Sequence, residues 1–235
     1  SLDMLDLRSY DDYTYAHSVN VGVLCGVIGM EMHMNEKEMA QLVTAALLHD
    51  LGKLAIPGEI LNKPGRLTQK EYKRMQEHPV ISYELIKDRF DLSAQIKVAV
   101  LFHHENVDGT GYPNGVMGEE QTLFTKILHA ADVYDALTSE RCYKPAYSHD
   151  TAMKMIFDGQ CGVFHPLLLE CLRDIGDTLV QELLAPNTLE TENAPKETSH
   201  ITEQLQRYGL GATERLLQQR SYEQQRFRFL SDKTE

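Results

Sequence analysis

The chain has 235 residues, 42% of them hydrophobic, enough for one substantial core with an appendage. Its formal net charge of -12 argues against nonspecific binding to polymeric nucleic acid or to anionic membranes, both of which need basic surfaces. No apolar run approaches the ~20 residues of a membrane-spanning helix, and no secretory signal is visible. An anionic substrate would therefore be met by a local positive site, built from metal ions and a few selected cations. Cys25, Cys142, Cys161 and Cys171 show neither CxxC spacing nor a dense framework. They read as reduced thiols, packed as small apolar groups in a cytoplasmic protein. A chain that opens at Ser1 rather than at methionine reads as an excised portion of a longer protein.

Taken in chain order, the periodicity is helical almost throughout, which predicts an all-α fold. Asn35 with Glu38 forms a capping-box pattern that opens a helix. Leu42, Ala45, Ala46 and His49 then fall on one face of it, and Gly52 marks its end. Thr68 with Glu71 offers a second capping box, and Pro79 suits the first turn of a further helix. Ile96, Ala99, Val100 and His103 repeat the apolar spacing. Residues 108–115 (DGTGYPNG) form a turn-rich loop between helices. Composition changes near Pro186: residues 187–199 are polar and acidic and read as a linker. Beyond it, Ile201, Leu205, Tyr208 and Ala212 outline an amphipathic stretch broken by Gly209 and Gly211. Residues 200–235 read as a signalling helix, a homodimerisation arm, the entry to another domain, or a partly ordered tail.

The chemistry concentrates in five histidines and two aspartates set beside these apolar faces. They are His17 in YTYAHSVNVG, His49 and Asp50 in ALLHDLGKLAIP, His78 in EHPVIS, His103 and His104 in LFHHENVDGTGYP, and Asp132 in ADVYDALTSERCYK. Neutral imidazoles mixed with carboxylates suit iron, manganese or zinc. Helices of a bundle can direct such residues to a common centre, where a metal cluster satisfies polar groups that would be costly to bury alone. A lone histidine on an apolar stripe is more often a hydrogen-bonded core residue, and His33, His129, His149 and His200 are read that way.

The segments HDLGK, HHENVDGTGYP and DVYDALTSERCYK, in this order, resemble the HD-GYP branch of the HD-domain phosphohydrolases. The likeness can be followed over residues 10–184 and implies an HD-type helical bundle over residues 8–186. It further implies a binuclear metal centre: His17, His49, Asp50 and Asp132 around one ion, with Asp50 bridging to a second held by His78, His103 and His104. Two such ions would acidify a bridging water to hydroxide for attack on a phosphate ester, so no Ser or Cys nucleophile is required. Asp50 would also orient that nucleophile. By the same resemblance Lys53 contacts the scissile phosphate, and Arg141 and Lys144 hold the phosphate and guanine groups of a dinucleotide. Tyr112, in the signature loop with Asp108, Gly109, Gly111 and Pro113, either borders the substrate or belongs to a turn that caps the metal site. Asp135, one turn beyond Asp132, braces that helix or a ligand histidine.

Some relatives hold a third ion with a Glu four residues before the first histidine. Tyr13 stands there in this chain, so two ions are expected. His165 stands where many relatives carry Asp before a proline, a helix-cap variation without catalytic weight. The implied activity is hydrolysis of cyclic di-GMP to pGpG, and more slowly on to GMP. Two alternatives stay open: a hydrolase for another cyclic or linear nucleotide, such as cyclic GMP-AMP, and a catalytically silent scaffolding module.

Overall fold

The computed structural model describes residues 12–139 and 146–184, with side chains over 14–139 and 146–175. Among these residues the regular elements are all helical. They are α1 (Asp12–Glu31), α2 (Glu36–Leu48), a 3-10 turn (Leu51–Ala55), α3 (Gly58–Leu61) and α4 (Gln69–Met75). Then follow α5 (His78–Ile86), α6 (Ala94–Phe102), α7 (Leu123–Thr138), α8 (His149–Phe157) and α9 (Pro166–Leu184). The one extended pairing described is an isolated antiparallel bridge between Asp108 and Met117. The expected linker over 187–199, the tail over 200–235, and Arg141, Lys144 and Cys142 lie outside the described residues.

Local chemistry sets the helix boundaries. Both capping boxes form: Asn35 with Glu38 opens α2, and Thr68 with Glu71 opens α4. Each satisfies two backbone donors that would otherwise be orphaned at a helix start. Ser93, Thr122 and Ser148 cap α6, α7 and α8 through their side-chain oxygens. Pro79 lies in the first turn of α5, where its missing N–H costs nothing. His165 sits just before α9, and its Nδ1 accepts from Leu167 N at 3.3 Å.

The core is organised on α7. Phe124, Ile127, Leu128, Ala130, Ala131, Tyr134 and Leu137 are all buried, so this helix has apolar contact all round. α1 lies against both α2 and α7, and α6 lies against α5, α7 and α2. Val21, Leu24, Cys25 and Ile28 of α1, and Leu42, Ala45 and Ala46 of α2, fill the space between them. The predicted stripe Ile96, Ala99, Val100 and His103 is buried as well. None of the described helices is long and apolar enough to cross a membrane.

Gly52 has a different role from the one its position predicts. α2 ends at Leu48, with His49 still in right-handed helical geometry, and Gly52 falls inside the 3-10 turn. A Cβ there would lie 2.0 Å from His78 O and 2.8 Å from Ser82 N. The glycine is therefore required by close approach of α5 rather than by a left-handed cap. Its N–H donates to Ser82 Oγ at 2.7 Å, and Ser82 Oγ donates to His49 O at 2.7 Å. One serine thus joins the end of α2, the 3-10 turn and α5.

Gly52→Ala should push α5 away from the end of α2 and destabilise the fold by on the order of 3 kcal/mol. Urea unfolding measures this directly. A midpoint equal to that of the parent chain would show that the close approach is dispensable.

Candidate metal centre

The seven side chains come from five helical elements and meet at one place. His17 lies on α1, His49 and Asp50 follow α2, His78 opens α5, His103 and His104 follow α6, and Asp132 lies on α7. All are buried except His104, which is half-buried. Three of their ligand-atom groupings are compact enough to hold an ion: His17–His49–Asp50, His78–His103–His104 and His49–His103–Asp132. The first two share no residue, so two ion positions fit side by side.

Histidine hydrogen bonding decides which ring nitrogens face the centre. His49 Nδ1 lies 2.6 Å from Ala46 O, His78 Nδ1 2.7 Å from Met75 O, and His103 Nδ1 2.7 Å from Val100 O. A carbonyl can only accept, so each Nδ1 carries the proton. In the neutral ring each Nε2 then presents a lone pair inward. His78 Nε2 stands 3.2 Å from His103 Nε2 and 3.2 Å from His104 Nε2. With their protons committed on the far side, His78 and His103 cannot hydrogen-bond to each other across that gap. Opposed lone pairs at this distance suit a shared cation.

Asp50 connects the two groupings through different oxygens. Its Oδ2 lies 3.3 Å from His49 Nε2 and 3.6 Å from His17 Nε2, while Oδ1 lies 3.3 Å from His78 Nε2. Asp132 also spans the cluster: Oδ1 is 2.9 Å from His17 Nε2, and Oδ2 is 3.7 Å from His104 Nδ1. Two buried atoms, His49 Nε2 and Asp50 Oδ1, have no hydrogen-bond partner. Orphaned buried polar atoms are costly, and these two point into the cluster that divalent ions would satisfy. The donor set, imidazole nitrogens with carboxylate oxygens, fits such ions.

Electrostatics agree with a ligand set ready for cations. Burial opposes ionisation of Asp50, yet His49, Lys53 and His78 hold its carboxyl well below the usual range. Asp132 behaves likewise against burial, through His17, His104 and His49. Burial, with His104, His49 and His78 nearby, keeps His103 neutral far below its ordinary pKa. Burial and His78 do the same for His104. His17 differs: burial lowers its pKa, but bonds to Asp132 and Asp135 raise it to about 9.

The other expected site residues are placed as follows. Lys53 Nζ donates to Asp50 Oδ2 at 2.6 Å. Asp135 Oδ2 accepts from His17 Nδ1 at 2.6 Å, leaving Nε2 toward Asp132. The Tyr112 ring stacks on His104, centroids 4.7 Å apart and 28° between planes. Burial first, then the neighbouring Tyr72, raises the Tyr112 phenol, so it stays protonated at neutral pH. Among the histidines read as core residues, His129 bonds to His103 O at 2.8 Å and stacks on Phe164, and His149 Nδ1 lies 2.8 Å from Tyr134 Oη. His33, by contrast, is exposed in a left-handed turn after α1 and is not a core residue. His200 lies outside the described residues.

Three residues escaped the sequence reading. Ser82 is the serine that ties His49 to Gly52. Glu105 is a buried acceptor for three loop amides. Asn106 Oδ1 accepts from Val163 N at 3.1 Å and lies 3.2 Å from His129 Nε2. Their partners are mostly backbone groups of irregular segments, and no periodic signal marks those. Only the acidic residue directly after two histidines offered a hint.

A bundle of helices that pools histidines and aspartates around one buried centre defines an HD-type metal-binding fold. A family model described as HD domain matches residues 4–161. The chain belongs to the HD domain family, and its HDLGK and HHENVDGTGYP segments are those of the HD-GYP branch. It is 37% identical over 165 residues to a cyclic di-GMP phosphodiesterase of Pseudomonas aeruginosa, covering 70% of this chain and 40% of that protein. It is 38% identical over 144 residues to 3′3′-cGAMP-specific phosphodiesterase 3 of Vibrio cholerae, covering 61% of this chain and 31% of that one. The chain thus spans less than half the length of these curated relatives. Among solved structures, an HDG"Y"P protein from Bdellovibrio bacteriovorus matches with a TM-score of 0.58 at 20% identity, over 68% of this chain and 51% of that one. That likeness is one of fold.

The raised pKa of His17 sets a pH dependence for the metal-stripped chain. Its stabilising contribution is complete below about 6.5, the unfolded value, and is lost as pH rises through about 9. The shift corresponds to on the order of 3 kcal/mol. The melting temperature of chelator-treated protein should therefore fall between pH 6.5 and 9, and His17→Asn should flatten that slope. A parent chain with constant melting temperature across this window would contradict the ion-pair geometry at His17.

Proposed function

We propose that the chain is a metal-dependent phosphodiesterase that opens cyclic di-GMP to the linear dinucleotide pGpG. The observation that carries the reading is Asp50, whose two oxygens face two separate histidine groupings. His17, His49, Asp50 and Asp132 would hold one divalent ion, and Asp50, His78, His103 and His104 the other. Iron, manganese and zinc all suit this donor set. When bound, the ions would supply a nucleophile by acidifying water near neutral pH, and would offset charge on the phosphate.

The chain's own residues account for the remainder of the reaction. Water adds across one phosphodiester bond, its oxygen going to phosphorus and a proton finally reaching the released 3′ oxygen. Asp50 orients the attacking group by the same carboxylate that joins the two ion positions. Lys53, already at the edge of the cluster, would turn its ammonium toward the non-bridging phosphate oxygens, where negative charge builds. Arg141 would grip phosphate or guanine in bidentate fashion, with Lys144 as a second cation and Tyr112 beside the ring of the ligand. Local positive charge at these few positions lets a protein of net charge -12 accept a dianionic substrate. Residues 8–186 would form the domain that carries this activity.

A second reading concerns the substrate. The likeness to a phosphodiesterase named for 3′3′-cGAMP favours testing the hybrid dinucleotide beside cyclic di-GMP. Comparing kcat/KM for the two on purified protein decides between them. Turnover of neither, with metals bound, would favour the scaffolding role.

Asp50→Ala should abolish hydrolysis and strip metal, because one carboxylate serves both ion positions. Elemental analysis should find two ions per parent chain, consistent with Tyr13 in place of an acidic ligand. Two ions retained with near-normal turnover in the variant would remove the basis of this reading, and three filled positions in the parent would overturn the expected count.

Arg141→Ala should instead leave metal content intact and weaken nucleotide binding, by about 1.5–3 kcal/mol for a lost charge-assisted contact. Calorimetric titration with cyclic di-GMP on the metal-loaded variant measures it. Unchanged affinity would assign Arg141 elsewhere.

A further inference from the structure

The segment between α6 and α7 lacks helix, yet its backbone is tied down at many points. Glu105, directly after His104, is only 1% exposed. Its Oε1 accepts from Asn114 N at 2.7 Å and Gly115 N at 3.0 Å, and its Oε2 from Val116 N at 3.0 Å. Three successive amides aimed at one carboxylate form an anion-binding nest filled from within the chain. Gly115, at φ +68°, provides the left-handed turn this nest needs. Both carboxylate oxygens are engaged by these amides, so Glu105 is not itself turned to the metal cluster.

The loop so closed rests on His104. Tyr112 N donates to His104 O at 3.1 Å, and the Tyr112 ring lies face to face with the His104 imidazole. A Cβ on Gly111 would stand 2.4 Å from His104 O, so the signature glycine lets the loop backbone settle onto this residue. Gly118 N donates to Val107 O at 2.9 Å, and Gln121 Nε2 donates to Asn106 O and Val116 O, which fasten the two ends of the loop.

His104 needs such support more than its neighbours do. His49, His78 and His103 each anchor Nδ1 on a carbonyl three residues earlier. His104 has no such bond, and its Nδ1 lies 3.7 Å from Asp132 Oδ2. Its ring is oriented by what lies against it: Tyr112 is the ring stacked on it, and the His103 ring lies tilted beside it at 4.2 Å.

We propose that Glu105 is a positioning residue for the metal centre: by closing the loop it holds the Tyr112 ring against His104 and so fixes that imidazole for coordination. On this account the GYP signature serves first as a buttress for one histidine and only then as a border of the substrate site. The inference rests on the reading of the cluster as a binuclear metal centre.

The test titrates Mn²⁺ into the chelator-stripped full chain, followed by calorimetry and by the electron paramagnetic resonance of paired ions. Glu105→Ala and Tyr112→Ala should each weaken one of the two Mn²⁺ by about 10–100-fold, the usual loss when a ligand's supporting partner is removed. The other ion should bind as in the parent, and the signal of coupled pairs should drop. Tyr112→Phe, which keeps the flat ring, should retain parental affinity for both. Should Glu105→Ala fail to fold, Tyr112→Ala alone decides, since it removes a ring without touching the nest. Parental affinity for both ions in Tyr112→Ala, with a raised KM for cyclic di-GMP, would overturn the proposal and assign the loop to substrate. Asp50→Ala, titrated in parallel, keeps the two questions apart. If it too binds both ions normally, the metal reading itself fails; if it loses them while the loop variants do not, only the buttress fails.

Discussion

The arrangement depends on where three histidines place their protons. His49, His78 and His103 each bond through Nδ1 to a carbonyl three residues earlier, at or beside a helix end. Carbonyls near helix ends have lost their partners in the helical ladder, so they are free to accept. Each bond fixes both tautomer and ring direction from within a single turn of chain. The helices then need only bring their ends together for three lone pairs to converge. A histidine in mid-helix cannot use this device, and His17 on α1 takes its support from the Asp135 carboxylate instead.

Packing supplies the convergence. α7 is buried on every side and carries Asp132 and Asp135 among apolar neighbours, so these carboxylates are held as firmly as core residues. Desolvation works against the charge of Asp132 and of Asp50, and the surrounding histidines restore it, with Lys53 adding to the effect at Asp50. The centre is therefore a balance of charges that the low-dielectric interior makes strong in both directions. Fold and site cannot be separated here, because the residues that close the core also position the ligands.

Much of this was legible in the sequence, for reasons that differ by residue. The stripes ending in His49 and His103 obey helical spacing, so the helices and the inward direction of both histidines could be read without a structure. Capping boxes at Asn35 and Thr68 follow from short-range hydrogen bonding and formed as read. Gly52 was located correctly but explained wrongly, since the constraint on it comes from His78 O, twenty-six residues away, and no local pattern announces such a contact. Ser82, Glu105 and Asn106 were missed for a related reason: each satisfies backbone groups of turns, whose geometry is set by tertiary closure. Family likeness brought in Lys53, Arg141 and Lys144, which periodicity alone would leave as surface cations.

The serine between α2 and α5 has a dynamic consequence. The Gly52 amide is closed off by Ser82, whose hydroxyl is itself held by His49 O. That amide can meet solvent only when α5 separates from the end of α2, the same movement that would pull His78 from His49 and Asp50. Its hydrogen-exchange rate therefore reports the opening free energy of the cluster as a cooperative unit, set apart from fraying at exposed helix ends. A single backbone proton, on the turn between Asp50 and Lys53, becomes a native-state gauge of how often the centre comes apart.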